Sequence, residues 1–327
     1  MSFKNKRVLL LAANLFGYHD EIKRGLERLG AHVDYFDERP ANSFMVKAAI
    51  RINRNLLAPY LDRYHNKIID STHDTPYDYI LVIKGESLSA KTVKRLKVVH
   101  PCAKLVIYLW DSIANNVNAL RILSLFDRVF SFDKFDCERW GINFLPLFYL
   151  PEYAAIVQRE PDYDLVFVGT THSDRYHLVH SVVQQITAIG GRCFTYFFFP
   201  NRILYYRMKL LNKHVRTAHT CDFHFKALSK REMFDLFSRA KTTIDTQHPR
   251  QTGLTMRCIE ALGAKRKLIT TNHHIRNYDF FREQNILVID RKHPVIPVDF
   301  LNTPYEELPD SIYRKYSLES WLDTLFN

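Results

Sequence analysis

The fold is decided by Gln247-His248-Pro249-Arg250-Gln251-Thr252-Gly253-Leu254-Thr255-Met256-Arg257-Cys258-Ile259-Glu260-Ala261-Leu262-Gly263, followed by Lys267-Leu268-Ile269-Thr270. Thr242-Thr243-Ile244-Asp245 is the strand that enters this stretch. After it come a polar loop, a short helix, a glycine stop and a second apolar strand. A helix N-terminus, Gly253 and two arginines therefore converge at the mouth of a parallel sheet. Backbone N–H groups and positive charge at that point suit a diphosphate.

Upstream, the same alternation of strand and helix extends through residues 165–168 (strand), 176–189 (helix, stopped by Gly190-Gly191), 194–198 (strand) and 229–240 (helix). The last of these opens on a capping box, Ser229-Lys230-Arg231-Glu232. An earlier and similar series has strands at 8–13, 33–36, 79–83, 105–109 and 129–131, with helices at 20–29, 87–99 and 115–125. Strands alternating with crossover helices mean a parallel sheet covered on both faces. Two consecutive series predict an α/β chain of two Rossmann-like domains facing each other across a cleft, 1–155 and 156–327, with residues 317–326 as a packed terminal helix.

Composition narrows the partners. The 327 residues carry a formal charge of +11 and a pI near 9.3, which favours nucleotides, nucleic acid or an acidic membrane surface. The five cysteines are scattered and contain no Cys-x-x-Cys pair, which argues against a disulfide framework and a zinc knuckle and points to a reducing cytoplasm. Lys4 to Arg7 before Val8 to Ala13 imitates a signal peptide, but the apolar run is short and reads as a first buried strand. No run approaches the ~18–20 apolar residues of a membrane span.

Asp164-Leu165-Val166-Phe167-Val168-Gly169-Thr170 with Arg175, then Gly253 to Arg257 with Glu260-Ala261-Leu262-Gly263, resembles the C-terminal domain of GT-B glycosyltransferases. More narrowly it is similar to the spore-maturation (CgeB-like) group and related bacterial surface-polysaccharide transferases, most clearly over roughly residues 160–290. The resemblance implies a GT-B type fold and transfer of a sugar from a nucleotide-diphosphate donor, held by the second domain, to a glycan or lipid-linked acceptor, held by the first. It also implies no cofactor beyond the co-substrate and no metal. In retaining GT-B enzymes a Glu, seven residues, Glu pattern places the second carboxylate on the donor ribose. Glu260 fits that position, but the first falls on Thr252, so the stereochemical outcome stays open.

The candidate residues follow. Glu260, an acceptor-only group on a helix, suits two vicinal ribose hydroxyls. Arg257, three residues earlier on the same face, and Arg175, after the Gly169-Thr170 turn, would stabilise charge on the departing β-phosphate without a metal. Gly169, Thr170, His172, Gln251, Gly253 and Leu254 complete the expected donor contacts. Asp111 follows a buried strand and is the candidate base for an acceptor hydroxyl, or else a helix cap; Lys84 and Glu86, beside Gly85, share that position. Asp162-Tyr163-Asp164 spells the metal-binding Asp-x-Asp of GT-A enzymes but precedes its strand, and the histidines lack metal-ligand spacing.

Two stretches interleave cations with bulky apolar residues. One has Lys47, Arg51, Arg54, Arg63 and Lys67; the other has Arg202, Arg207, Lys209, Lys213 and Arg216. They suit contact with an anionic membrane surface, so the expected location is cytoplasmic and peripheral to the inner membrane face. The rivals are a nucleotide-sugar epimerase of the same fold and a non-catalytic nucleic-acid-binding module. The second leaves the loop, arginine and glutamate unexplained, so nucleic acid is not the expected partner.

Overall fold

A computed structural model describes the chain apart from residues 1–2, 15–16, 43–45, 47–49, 51–52, 172–173, 217 and 249–250, and apart from the side chains of 213 and 214. It divides into two compact units, Met1–Pro146 with Leu318–Asn327, and Leu147–Ser317.

The first unit is built on strands β1 (Arg7–Ala12), β2 (His32–Phe36), β3 (Tyr79–Ile83), β4 (Lys104–Leu109), β5 (Arg128–Ser131) and β6 (Asn143–Phe144). They form one parallel sheet in the order β2-β1-β3-β4-β5-β6. Its central strands are continuous apolar runs because both faces are covered. One face packs Leu9, Val82 and Ile107 against Ile68 and Ile69 of helix α2 (Ala58–Thr72) and Val93 and Leu96 of α3 (Ala90–Val99). On the other face, α1 (Tyr18–Arg28) meets the terminal helix, for which Gly25 leaves room beside Leu318 and Leu322. Tyr108 and Tyr79 lie edge-on to Trp321 and Phe326.

The second unit has β7 (Tyr163–Thr170), β8 (Cys193–Phe198), β9 (Phe223–His224), β10 (Ala240–Asp245), β11 (Lys267–Thr270) and β12 (Ile286–Val288). These are again all parallel, in the order β12-β11-β10-β7-β8-β9. Counted within the unit this is the doubly wound order 3-2-1-4-5-6, whose direction reverses between β7 and β10. Around it lie α4 (Arg175–Ala188), α5 (Arg202–Leu211), α6 (Lys230–Ser238) and α7 (Met256–Gly263), and the chain closes on α8 (Leu318–Phe326) in the first unit. The expected capping box of α6 is present.

Three expectations differ. The units part at 146/147 rather than 155/156, because Tyr149 and Tyr153 pack inside the second unit, on Tyr313 and Phe237. Residues 318–327 belong to the first unit, because Leu318, Trp321 and Leu322 face its α1 and β4. Residues 115–125 form short turns, Ile113–Asn115, Val117–Leu120 and Leu123–Leu125, instead of one helix. There the Asn116 amide donates to the Lys84 carbonyl and the Ile113 N–H to Asp136, so tertiary partners replace helical ones.

Candidate functional site

The C-terminal edges of β7 and β10 flank the point where strand order reverses in the second unit, the position at which open α/β sheets bind ligands. Arg175, at the start of α4, spans it. Its Nε donates to Thr246 Oγ1 (2.7 Å), one terminal nitrogen to the Thr246 carbonyl (2.5 Å) and the other to the Thr170 carbonyl (2.9 Å). Burial pulls this guanidinium down to about 10; Asp245 opposes that, while Arg257 and Arg291 add to it.

Asp245, the last residue of β10, is buried and accepts from Thr255 Oγ1 (2.8 Å) and Cys258 Sγ (3.5 Å). Burial raises its pKa, and Arg175 with these two donors acts against the rise. The Thr255 hydroxyl is spent on Asp245, so this N-cap residue gives the N-terminus of α7 no side-chain cap. Arg257 on α7 donates to the Val168 carbonyl (3.1 Å), pairs with Glu260 (2.9 Å) and lies over the Phe237 ring. Glu260 is only 8% exposed, and the Tyr153 hydroxyl also hydrogen-bonds to it. A carboxylate so held has part of its acceptor capacity taken by protein partners, beside the ribose hydroxyls expected for it. Its first partner is Arg257.

The loop before α7 is braced from β11. Asn272 Nδ2 donates to the Thr252 and Gly253 carbonyls (3.1 and 3.3 Å), and Gln251 Nε2 to the Gly253 carbonyl (3.0 Å). Leu254 is buried beneath it. Gly253 and Gln251 thus serve the loop's own shape through their backbone and amide groups. Gly169 and Thr170 end β7 beside Arg175, and the buried Thr171 hydroxyl at the same edge makes no hydrogen bond among the described residues. His172 and Arg250 lie outside the described residues.

Two further residues join this edge. Arg291, after β12, forks onto Asp174 (2.8 and 2.6 Å) and donates to the Gln247 carbonyl (2.9 Å). Both Arg291 and Asp245 were legible by position alone, as polar residues at the C-terminal ends of strands. Sequence motif reading passed over them. Asp162 and Asp164, at the opposite end of β7, pair with Arg239 and Lys241. No group of three or more His, Cys, Asp or Glu among the described residues is placed to hold a metal.

The edge of the first sheet carries a separate charge cluster. Lys84, buried after β3, pairs with Glu86 (2.8 Å) and Asp111 (2.9 Å), and Glu86 pairs with buried Arg39 (3.1 Å). Burial works to lower the pKa of Lys84, and Asp111 and Glu86 outweigh it, leaving it raised. Lys84 has φ +85° and Gly85 +67°, a left-handed pair whose tight turn puts both N–H groups of Gly85 and Glu86 on the Glu38 carboxylate (2.9 and 3.0 Å). A non-glycine residue in that region costs of order 1–3 kcal/mol, so surrounding contacts must hold it. Asp111 is partly exposed and is tied to Lys84 as an ion partner, and the turn that follows has Ser112, not Asp111, at its N-cap position.

No protein-family model matches the sequence, and no curated protein matches it. Solved structures do. An α-glucosyltransferase in complex with UDP and a DNA 13-mer aligns over 98% of this chain and 100% of that one, at 11% identity and TM-score 0.65. An E. coli trehalose-6-phosphate structure bound with UDP-2-fluoro glucose covers 98% of both chains at 10% identity and TM-score 0.63. The fold is GT-B. The UDP-GlcNAc 2-epimerase of Methanocaldococcus jannaschii, in complex with UDP-GlcNAc and UDP, shares it at TM-score 0.52 and 10% identity over 98% of this chain and 99% of that one.

Proposed function

We propose that this GT-B chain is a glycosyltransferase that moves a sugar from a nucleotide-diphosphate donor to a glycan or lipid-linked acceptor. The observation carrying the reading is Arg175, fixed across the point where strand order reverses in the second sheet, with Arg257 and Arg291 beside it and the N-terminus of α7 given no cap by Thr255. A departing nucleoside diphosphate gathers negative charge on its β-phosphate. Guanidinium groups, helix N-terminal N–H groups and the Thr171 hydroxyl, which has no partner among the described residues, are the donors that stabilise such charge, and they do so without a divalent ion. Arg175 itself acts mainly by setting the geometry of the edge, since its nitrogens already serve Thr170 and Thr246. Arg257, steadied by Glu260, is the residue assigned to the phosphate, and Glu260 keeps the ribose assignment only through its remaining acceptor capacity.

The acceptor is assigned to the first unit, where Asp111 presents a partly exposed carboxylate whose other contact is the Lys84 ammonium. An aspartate there can take the proton of an acceptor hydroxyl as the glycosidic bond forms. The biological setting proposed is bacterial surface-polysaccharide synthesis, by a cytoplasmic enzyme peripheral to the inner membrane face. Incubation with UDP-, GDP-, ADP-, CDP- and TDP-sugars, with and without glycan acceptors, tests the activity. Acceptor-dependent release of nucleoside diphosphate supports the transferase. Conversion of the donor sugar to its epimer without acceptor would establish the alternative that the epimerase fold match keeps open.

A further inference from the structure

Helix α5 leaves its sheet-facing side, Tyr205 and Met208, on the core of the second unit and turns a different face outward. Ile203 is 82% exposed, Leu210 74%, Leu211 72% and Tyr206 54%, and Ile203 is the most exposed large hydrophobic side chain among the described residues. Positions 203, 206 and 210 fall at i, i+3 and i+7, so these side chains form one stripe along the helix. Arg207 stands exposed within that stripe, and exposed Arg202 and Arg216 bracket it. A contiguous aliphatic stripe in water is unfavourable and marks a surface meant to be covered.

The charge around it identifies the cover. The exposed cations on and beside the stripe are Arg202, Arg207 and Arg216, and the sequence has no Asp or Glu between Asp174 and Asp222 to offset them. We propose that the outward face of α5 is an interfacial docking surface for an anionic phospholipid bilayer, with Ile203, Tyr206, Leu210 and Leu211 entering the acyl boundary and Arg207, Arg202 and Arg216 meeting headgroup phosphates. This deepens the peripheral location proposed above and does not depend on the transferase chemistry. Nucleic acid fits the face less well, because three of its four bulky side chains, Ile203, Leu210 and Leu211, offer neither hydrogen bonds nor a stacking ring, and only Tyr206 does.

The structure also corrects which basic residues take part. Lys209 turns inward and donates to the Tyr205 hydroxyl (3.3 Å) and the Ala218 carbonyl (3.2 Å), so it is not on the docking face. Lys213 has its side chain outside the described residues. The earlier basic stretch drops out in part as well: Arg54 is buried and held by Asp62 and the Ser87 carbonyl, while Lys47 and Arg51 lie outside the described residues.

The test uses the full chain with sedimented vesicles of phosphatidylcholine alone or mixed with phosphatidylglycerol. Wild type should bind the anionic vesicles and not the neutral ones, with binding weakened as added salt shortens the Debye length to about 8 Å near 0.15 M. Ile203→Ser with Leu210→Ser should lower the partition coefficient by at least about tenfold, and Arg207→Gln should reduce its salt dependence. Thermal denaturation and UDP titration of the same variants should match wild type. Unchanged vesicle binding in the double variant overturns the proposal, as does equal wild-type binding to neutral vesicles. Displacement of wild type from vesicles by an oligonucleotide that binds the double variant equally well would assign the positive charge to nucleic acid instead. Failure of wild type to bind any nucleoside diphosphate, with vesicle binding intact, would remove the transferase reading and leave the docking face standing.

Discussion

Replacing Gly263 with alanine probes the placement of α7 and everything it carries. A Cβ at this position would lie 2.5 Å from Tyr149 Cβ and 2.6 Å from its Cγ. These atoms sit close to the Tyr149 backbone and have little freedom to withdraw. Tyr149 stacks on Tyr313 at 4.9 Å, donates its hydroxyl to the Tyr313 carbonyl (3.1 Å) and is tied by its N–H to the Tyr316 carbonyl (2.8 Å). Tyr313 in turn donates to the Gly263 carbonyl (2.6 Å), closing the cluster. Overpacking of this kind costs about 1–3 kcal/mol, and the better helix propensity of alanine returns up to about 1 kcal/mol. Taking the middle of the overpacking range, about 2 kcal/mol, the net is a loss of about 1–2 kcal/mol, or a Tm lower by about 2–8 °C for a unit of this size. Since α7 also carries Arg257 and Glu260, relief by sliding the helix should weaken nucleotide binding as well. Urea unfolding and UDP titration on the same protein read both effects. A Gly263→Ala variant as stable as wild type, with unchanged UDP affinity, would refute the claim that this close approach positions the helix.

Other perturbations separate the charge clusters. Lys84→Met leaves Asp111 without its ammonium and Glu86 with Arg39 alone, so it should cost about 3 kcal/mol or more in urea unfolding; a loss under about 1 kcal/mol would mean the pair holds nothing. Burial lowers His65 to about 4 from 6.5, so the unfolded chain takes a proton that the folded one refuses; stability should be fully present above pH 6.5 and fall by about 3 kcal/mol as pH drops toward 4. His65→Gln should flatten that part of the pH–stability profile, and an unaltered slope would exclude His65 as its source. Glu260→Gln removes the ion partner of Arg257 and should weaken donor affinity by about 1.5–3 kcal/mol in calorimetry, while a folded variant with wild-type affinity would take Glu260 out of the site.

The long central strands and α7 were readable because continuous apolar runs and a glycine stop are local signals, and the Ser229 capping box was equally local. Strands β6, β9 and β12 span only two or three residues, too few to show a period, and exist because a neighbouring strand offers them a ladder. The destination of α8 was not legible either. Its apolar stripe at Leu318, Trp321 and Leu322 announces packing, but only the fold shows that the partner is Gly25 and Tyr108 rather than the unit that precedes it in sequence. At the candidate site, the residue types and strand ends were visible in advance. Their pairing was not, because Arg175 with Thr246, Glu260 with Arg257, and Asp111 with Lys84 join side chains through three-dimensional contact, and a motif read one residue at a time treats each charge as free for a ligand.

Isothermal titration of the full chain with UDP, GDP, ADP, CDP and TDP, each with and without EDTA, addresses the second-unit edge directly. Binding of at least one nucleoside diphosphate at a single site, with the same affinity in chelator, is the result expected from Arg257, Arg291 and the N-terminus of α7 acting on the diphosphate. No binding by any of the five, or binding that EDTA abolishes, would contradict it.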